Sequence, residues 1–297
     1  MLSVEQLPHL NADPGDVDRS FNREPFGFTH NVHELPLLAF DSLRELAGKY
    51  DQADHFVASG APAPGTQFYS VAHGMLTPQQ AMDELGNGSH RVLMKRPENY
   101  DPRFRALLDS LFAQVVQLHP NVAQERIVRL ESSVLVSSAA SITPFHFDPE
   151  MSFFFQIEGE KVYHLRAPAV VTEPDLERFY KMGVVNIGQL DFATYESTQE
   201  FAFTLLPGFG LHQPQNSPHW VETRGARTIS YVFSFETERS RATGRTRSFN
   251  HYMRKAGLRP AAPGAHPRSD AFKARTMEVA IPLRRAVRNA LSKGFGR

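Results

Sequence analysis

The sequence contains no cysteine. Disulfides, thiolate metal sites and cysteine nucleophiles are thereby excluded, and any bound metal must be held by His, Asp or Glu. A reducing compartment fits that absence. Long apolar runs are missing too, and the opening stretch MLSVEQLPHLNADPGD has neither the basic start nor the apolar core of a signal peptide. The expectation is a soluble, cytoplasmic protein with no membrane span. Tryptophan occurs once, at Trp220, and net charge is zero. Acidic residues are scarce in the last segment: Arg239 to Arg297 holds 15 Lys/Arg against Asp270 and Glu278, a net +13 that leaves −13 on residues 1–238. Such a tail can meet an acidic partner, an anionic surface or nucleic acid, or dock as a helical face on the acidic body; nucleic acid is not favoured.

What is present suffices for a sizeable core: 297 residues, 41% hydrophobic and 11% aromatic, without an internal repeat. The patterning divides the chain into three regions. Residues 1–124 read as a mostly helical region with some mixed character, packing on a central β-rich region. Asp41 is placed to cap DSLRELAGKY, Thr77-Pro78 to start TPQQAMDELG, and Asp101-Pro102 to open DPRFRALLDSLFAQVVQL. In that last helix Phe104, Leu107, Leu108, Leu111, Phe112 and Val115 share one face, which reads as core. Residues 125–237 change to short β-rich runs separated by Gly, Pro and Asn, the pattern of a sandwich or barrel. Residues 238–297 form a basic helical extension. Its final helix carries Phe272, Thr276, Val279, Leu283, Val287 and Leu291 along one side, with a kink expected at Pro282. That stripe suits docking on the body or a homodimer better than a membrane surface.

The stretch TPFHFDPEMSFFFQIEGEK, from Thr143 to Lys161, places three charged or ligating side chains in an apolar context. Alternate residues of a strand share a face, so His146 and Asp148 point the same way, with Ser152, Phe154 and Gln156 in phase if Pro149 does not shift it. A two-residue turn at Glu158-Gly159 would bring Lys161 back to that face. A lysine inside a β core implies an anionic partner or a snorkelling head; the alternative is an exposed residue just past the turn. His146 is the only one of 13 histidines with a carboxylate two places on. His and Asp aimed into a barrel supply two of the three ligands of a facial triad on iron(II). For the third, the segment PGFGLHQPQNSPHWVET offers His219, with His212 as its competitor.

These residues, TPFHFDPEMSFFFQIEGEKVYHL followed by PGFGLHQPQNSPHWVE, resemble the cupin-like branch of the Jumonji-C oxygenases, similar to the asparaginyl hydroxylase that inhibits hypoxia-inducible factor. The resemblance spans roughly residues 125–237. It implies a mainly β fold, a double-stranded β-helix or jelly roll, flanked by the mixed α/β N-terminal region and the C-terminal helices. It implies iron(II) held by His146, Asp148 and His219, with 2-oxoglutarate and O2 as cosubstrates. Lys161 would pair with the distal carboxylate of 2-oxoglutarate, Thr143 would donate a hydroxyl to the same end, and Ser152 and Phe154 would line the pocket. The sequence departs from that relative in three places. Ser152 replaces an asparagine, Gly208-Phe209 stands for a Gly-Asp pair, and no tyrosine stands upstream where the relative uses one for the cosubstrate. Ser230 or Ser234 is a candidate to compensate.

The expected chemistry is hydroxylation of a protein or peptide side chain, with 2-oxoglutarate decarboxylated to succinate. Phe145, Phe147, Phe153 and Phe154 would shield the reacting centre from water, and Trp220 would line its mouth or fill the core. The same iron site serves equally for a small metabolite or natural-product intermediate. A non-enzymatic cupin-like module with a basic interaction tail is the third reading, and Lys161 argues against it.

Overall fold

In a computed structural model the described residues are 7–60, 62–67, 74–183 and 187–294, with side chains described as far as 287. The elements are β1 (Leu10–Asn11), α1 (Pro14–Ser20), β2 (Phe26–His30), α2 (Phe40–Ala47), β3 (His55–Ser59), α3 (Pro78–Asp83), β4 (His90–Lys95), α4 (Pro102–Leu118), β5 (Ile127–Ser137), β6 (Ile142–His146) and β7 (Met151–Leu165). They continue with α5 (Glu173–Tyr180), α6 (Phe192–Tyr195), β8 (Phe201–Leu205), β9 (Phe209–Gln213), β10 (His219–Thr237), α7 (Glu238–Lys255) and α8 (Pro267–Gly294). The strands join in the order β1-β2-β9-β7-β10-β5-β4-β3, with β6 added to β10 and β8 to β7.

Two long strands make this one sheet into a barrel. The first half of β7 pairs with the last half of β10, Met151 opposite Phe235, and its second half pairs with the first half of β10, Leu165 opposite His219. Between Glu160 and Glu158 on β7 stands only Gly159, whereas β10 inserts residues 225–228 between Arg224 and Ile229. The sheet folds over itself at this mismatch. Gly159 takes φ of +71°, and a Cβ there would come within 2.3 Å of the Arg227 carbonyl oxygen, so only glycine fits. The hairpin turn expected at Glu158-Gly159 is therefore absent. The glycine bends a continuous 15-residue strand instead of reversing it.

The two faces of the sheet carry different side chains. Phe153, Phe155, Ile157, Tyr231, Phe233 and Phe235 point outward into a large core. There α4 covers them with Phe104, Leu107, Leu108, Leu111 and Val115, as its periodicity predicts, while Phe112 packs at the margin. Phe154, Tyr163, Leu165, Leu205, Leu211 and Val221 form the inner cluster. Burying a Phe or Leu side chain stabilises the fold by about 1.5–3 kcal/mol each, so the outer core is the main stabilising feature.

Several expectations need correction. Residues 1–124 hold α1 to α4 and also four strands, β1, β2, β3 and β4, that all join the sheet and were not expected individually. Of these, β1 has only two residues and β3 does not alternate between buried and exposed positions, so neither shows a clear period. Asp41 lies within the first turn of α2 and Ala39 is the residue before it, so Asp41 favours the helix through its dipole and not as a cap. Thr77 and Asp101 do cap α3 and α4.

The tail docks on the acidic body through α7, one of the arrangements the sequence leaves open. α7 starts directly from β10 through a capping box at Thr237 and Ser240. Its arginines meet acids of the body and of its own first turn: Arg241 with Glu236 at 2.9 Å, Arg245 with Glu238 at 2.8 Å, Arg247 with Glu173 at 2.8 Å, and Arg254 with Glu177 at 2.7 Å. α8 runs through Pro282. Its packed residues are Ala274, Met277 and Ile281, on the side away from the stripe chosen from sequence. Phe272, Val279, Leu283 and Val287 of that stripe are 66, 71, 64 and 52% exposed, and the side chain of Leu291 lies outside the described residues. Both stripes have helical spacing; the larger one does not dock on the body, which leaves the second arrangement expected of it, pairing with a second copy. No described helix is long and apolar enough to cross a membrane.

Candidate active site

β6 and β10 bring the distant histidines together. His219 lies opposite His146 and Val221 opposite Thr143, so β6 has one residue more than β10 between these pairs. This bulge lets Thr143 and His146, three apart in sequence, both face the barrel interior. Asp148 follows just beyond β6, before a bend at Pro149 and Glu150 that interrupts the chain where the proline suggested it would.

The ligating atoms of His146, Asp148 and His219 all lie within 4.8 Å of one another. His146 Nε2 is 3.8 Å from Asp148 Oδ1, and His219 Nε2 is 3.7 Å from Asp148 Oδ2. Each imidazole is held from behind, His146 Nδ1 by the Pro144 carbonyl at 2.7 Å and His219 Nδ1 by the Ser217 carbonyl at 3.0 Å. With Nδ1–H donating, the Nε2 lone pair faces the centre, which is the tautomer a metal requires. Burial pushes His146 down to about 4, with His219 adding to the effect and Asp148 opposing it, so this ring is neutral near pH 7. Gln213 Nε2 donates to Asp148 Oδ2 at 3.2 Å and orients the carboxylate. Two imidazoles and one carboxylate match the donor set of a facial iron(II) site with three open positions.

His212 is built differently. It is fully buried on the outer face, stacked against Phe21 at 4.9 Å and close to Phe153 at 4.7 Å. Its Nδ1 donates to the Ser152 carbonyl and its Nε2 accepts from the Asn22 amide, each at 3.1 Å. Burial pushes it down to about 3. Both nitrogens are engaged, so neither is offered to the triad.

The remaining sequence candidates line the same interior. Lys161 is 3% exposed, with Nζ 5.6 Å from the centre of the Phe154 ring. Burial, with the field of Arg91 adding to it, pushes its ammonium down to about 7. Ser152 is buried at the start of β7, and Thr143 is partly buried on β6. Ser230 donates to Gln156 Oε1 at 2.8 Å, while Gln156 Nε2 donates to the carbonyls of Glu158 and Gly159, so this pair locks the bend. Ser234 faces Ser152 across the ladder. Tyr163 stacks on His219 at 5.9 Å, and burial, with Asp148 adding to it, holds its hydroxyl well above the usual range and protonated.

The expected phenylalanine shield is corrected by strand parity. Phe154 alone of the four faces the inner cluster; Phe153 lies in the outer core, and Phe145 and Phe147 pack with Val171, Leu176, Tyr180 and Tyr195. Trp220 stacks on His164 at 3.8 Å and packs at the edge of that last cluster. Sequence reasoning missed Gln213 and Arg91. Alternation of Leu211 and Gln213 on β9 could have found the first, since Leu211 belongs to the inner cluster. A large cavity of about 1250 Å³, lined by Asp18, Asn22, Gln215, Asn216 and Arg247 among others, lies behind the loop leading to His219 and does not include the triad.

No protein-family model matches the chain. Human HSPB1-associated protein 1 is 30% identical over 117 residues, 36% of this chain and 24% of that protein. The rat protein of the same name is 27% identical over 148 residues, 47% of this chain and 31% of its own length. The chain thus spans less than a third of these curated relatives. Among solved structures, YcfD of Escherichia coli superimposes with a TM-score of 0.54 at 17% identity, covering 93% of this chain and 69% of that one. The same ribosomal oxygenase in complex with cobalt and 2-oxoglutarate gives 0.51 at 18% identity, covering 92% and 68%. The chain adopts the cupin-like double-stranded β-helix fold of the Jumonji-C oxygenases, shared with YcfD.

Proposed function

We propose that the chain is an iron(II)- and 2-oxoglutarate-dependent dioxygenase that hydroxylates a side chain of a protein or peptide and converts 2-oxoglutarate to succinate. The observation that carries this reading is the meeting of His146, Asp148 and His219 in the same barrel interior that holds a buried Lys161. The triad residues would hold the metal, and iron(II) would supply activation of O2 for attack on an unactivated C–H bond. The chain itself prepares the donors. Pro144 and Ser217 fix the two imidazoles, Gln213 fixes the carboxylate, and burial keeps His146 unprotonated. Lys161 would meet the distal carboxylate of 2-oxoglutarate, with the Thr143 hydroxyl at the same end and Ser152 and Phe154 lining the pocket. The inner cluster of Phe154, Tyr163, Leu165 and Val221 would exclude water from the reaction.

A polypeptide substrate is supported by the shared fold with YcfD, a ribosomal oxygenase. We assign the metal centre to residues 125–237, with most of residues 1–124 packed on the outer face and residues 238–297 docked through α7. The exposed stripe of α8 is where the homodimer expected from sequence would form, and the absence of cysteine supports the cytoplasm as the compartment. The test is anaerobic titration of the iron(II)-loaded protein with 2-oxoglutarate, followed by admission of air. The expected result is the visible absorption band of a 2-oxo acid on iron(II), then slow succinate release. Neither band nor succinate at saturating iron and cosubstrate would overturn the assignment.

A further inference from the structure

Lys161 is not the only cation aimed into the barrel. On β4, Val92 and Met94 point to the outer core, so Arg91 and Leu93 point the other way. Arg91 lies opposite Ser137 of β5 and Leu93 opposite Leu135, a residue that packs on the inner cluster. Arg91 therefore belongs to the interior wall, although it comes from the N-terminal region and far from the recognised motif.

Arg91 is poorly compensated. No carboxylate among the described residues forms an ion pair with it or with Lys161, and its Nε is buried without a hydrogen-bond partner. Elsewhere in the chain the buried arginine Arg166 meets Glu200, and Arg254 meets Glu177. Burial pushes Arg91 down to about 10, and its field reaches both Lys161 and His146. A buried ammonium and a partly buried guanidinium facing one interior repel each other and lose hydration, and each cost is relieved by one shared anion. A guanidinium adds what an ammonium cannot, a planar fork that matches both oxygens of a carboxylate.

We propose that Arg91 is the second cation of the cosubstrate pocket, sharing the distal carboxylate of the 2-oxo diacid with Lys161 and supplying the donor that the resemblance assigns to a tyrosine this sequence lacks. The inference rests on the dioxygenase reading above. It narrows the cosubstrate to a 2-oxo acid with a second anionic group at its far end, and it makes the N-terminal region a direct contributor to the pocket.

Calorimetric titration of the full chain loaded with Mn(II) tests it, using 2-oxoglutarate and pyruvate, which has the same 2-oxo acid head but no distal carboxylate. Arg91→Met should weaken 2-oxoglutarate about 10- to 100-fold, the usual loss of a charged hydrogen-bonding pair, while pyruvate and Mn(II) affinities stay within about 2-fold. Arg91→Lys should fall between wild type and Arg91→Met. Unchanged 2-oxoglutarate binding in Arg91→Met overturns the proposal, as does an equal loss for 2-oxoglutarate and pyruvate, which would indicate a structural role. If Arg91→Met does not fold, Arg91→Gln keeps the length and is read by the same ratio. A wild-type chain that binds Mn(II) but not 2-oxoglutarate overturns the dioxygenase reading itself.

Discussion

Residues 212 and 213 are neighbours on β9 and face opposite sides of the same sheet, and the contrast between the two sides separates stability from chemistry. On the outer side, His212 is wedged among Phe21, Phe26 and Phe153 with both nitrogens satisfied. On the inner side, Gln213 reaches Asp148, and the same surface carries His146, His219, Lys161 and Arg91. The outer face is dominated by apolar packing, and its buried histidine has both nitrogens engaged. The inner face gathers three metal-type donors, the buried Lys161 and the partly buried Arg91, the two cations having no carboxylate ion-pair partner among the described residues, and such a concentration of costly polar groups is what a binding site requires.

The largest expected effect lies on the inner face. His146→Ala, Asp148→Ala or His219→Ala should each reduce succinate formation to background while leaving a folded chain, because each removes one of three donors. His212→Ala should do the opposite: iron binding is retained and melting temperature falls. A retained activity in His219→Ala together with a loss in His212→Ala would reverse the assignment of the third donor. Next comes the outer face. Phe155→Ala opens a cavity among Phe28, Tyr231 and Phe233 and should cost about 3–5 kcal/mol in denaturant unfolding. The surviving folded fraction should bind 2-oxoglutarate normally; a proportional loss of affinity would mean that the two faces are coupled.

Lys161 gives a smaller effect with a pH signature. Lys161→Met should weaken 2-oxoglutarate about 10- to 100-fold with metal binding intact. The folded ammonium sits at about 7, below its unfolded value of 10.5. Between those limits the unfolded chain binds more protons, so stability of the cosubstrate-free protein rises as pH climbs from about 7 toward 10. Affinity for 2-oxoglutarate runs the other way and declines above about pH 7, since the carboxylate needs the charged lysine. Melting and titration series on wild type and Lys161→Met isolate this group, because both slopes should flatten in the variant.

The same two faces explain what was legible in the sequence. Period-two spacing and the short motif placed His146 and Asp148 together and offered Lys161 and His219, with His212 as competitor, and the resemblance gave His219 and Lys161 their roles. The stripe of α4 gave its packing directly. Gly159 was misjudged because glycine serves a hairpin turn and a fold-over equally well, and only the pairing of β7 with β10 along both halves decides between them. β4 alternates over its six residues, but only its pairing with β5 shows which face is the interior, so Arg91 could not be placed on that wall from sequence. On α8 two apolar stripes compete, and the choice depends on where α7 lies rather than on α8 itself.

The smallest expected change probes the division between the faces at its narrowest point. Gln213 contributes one hydrogen bond to Asp148, itself part-exposed, and a hydrogen bond behind a metal-binding carboxylate is worth about 10-fold in metal affinity at the low end of such effects. Gln213→Ala should therefore weaken Mn(II) binding by about that factor with the melting temperature nearly unchanged. Its neighbour gives the mirror result, a lower melting temperature with metal affinity unchanged in His212→Ala. If Gln213→Ala instead destabilises the fold and leaves Mn(II) binding alone, the glutamine is a packing residue, and the division between a structural outer face and a chemical inner face fails at β9.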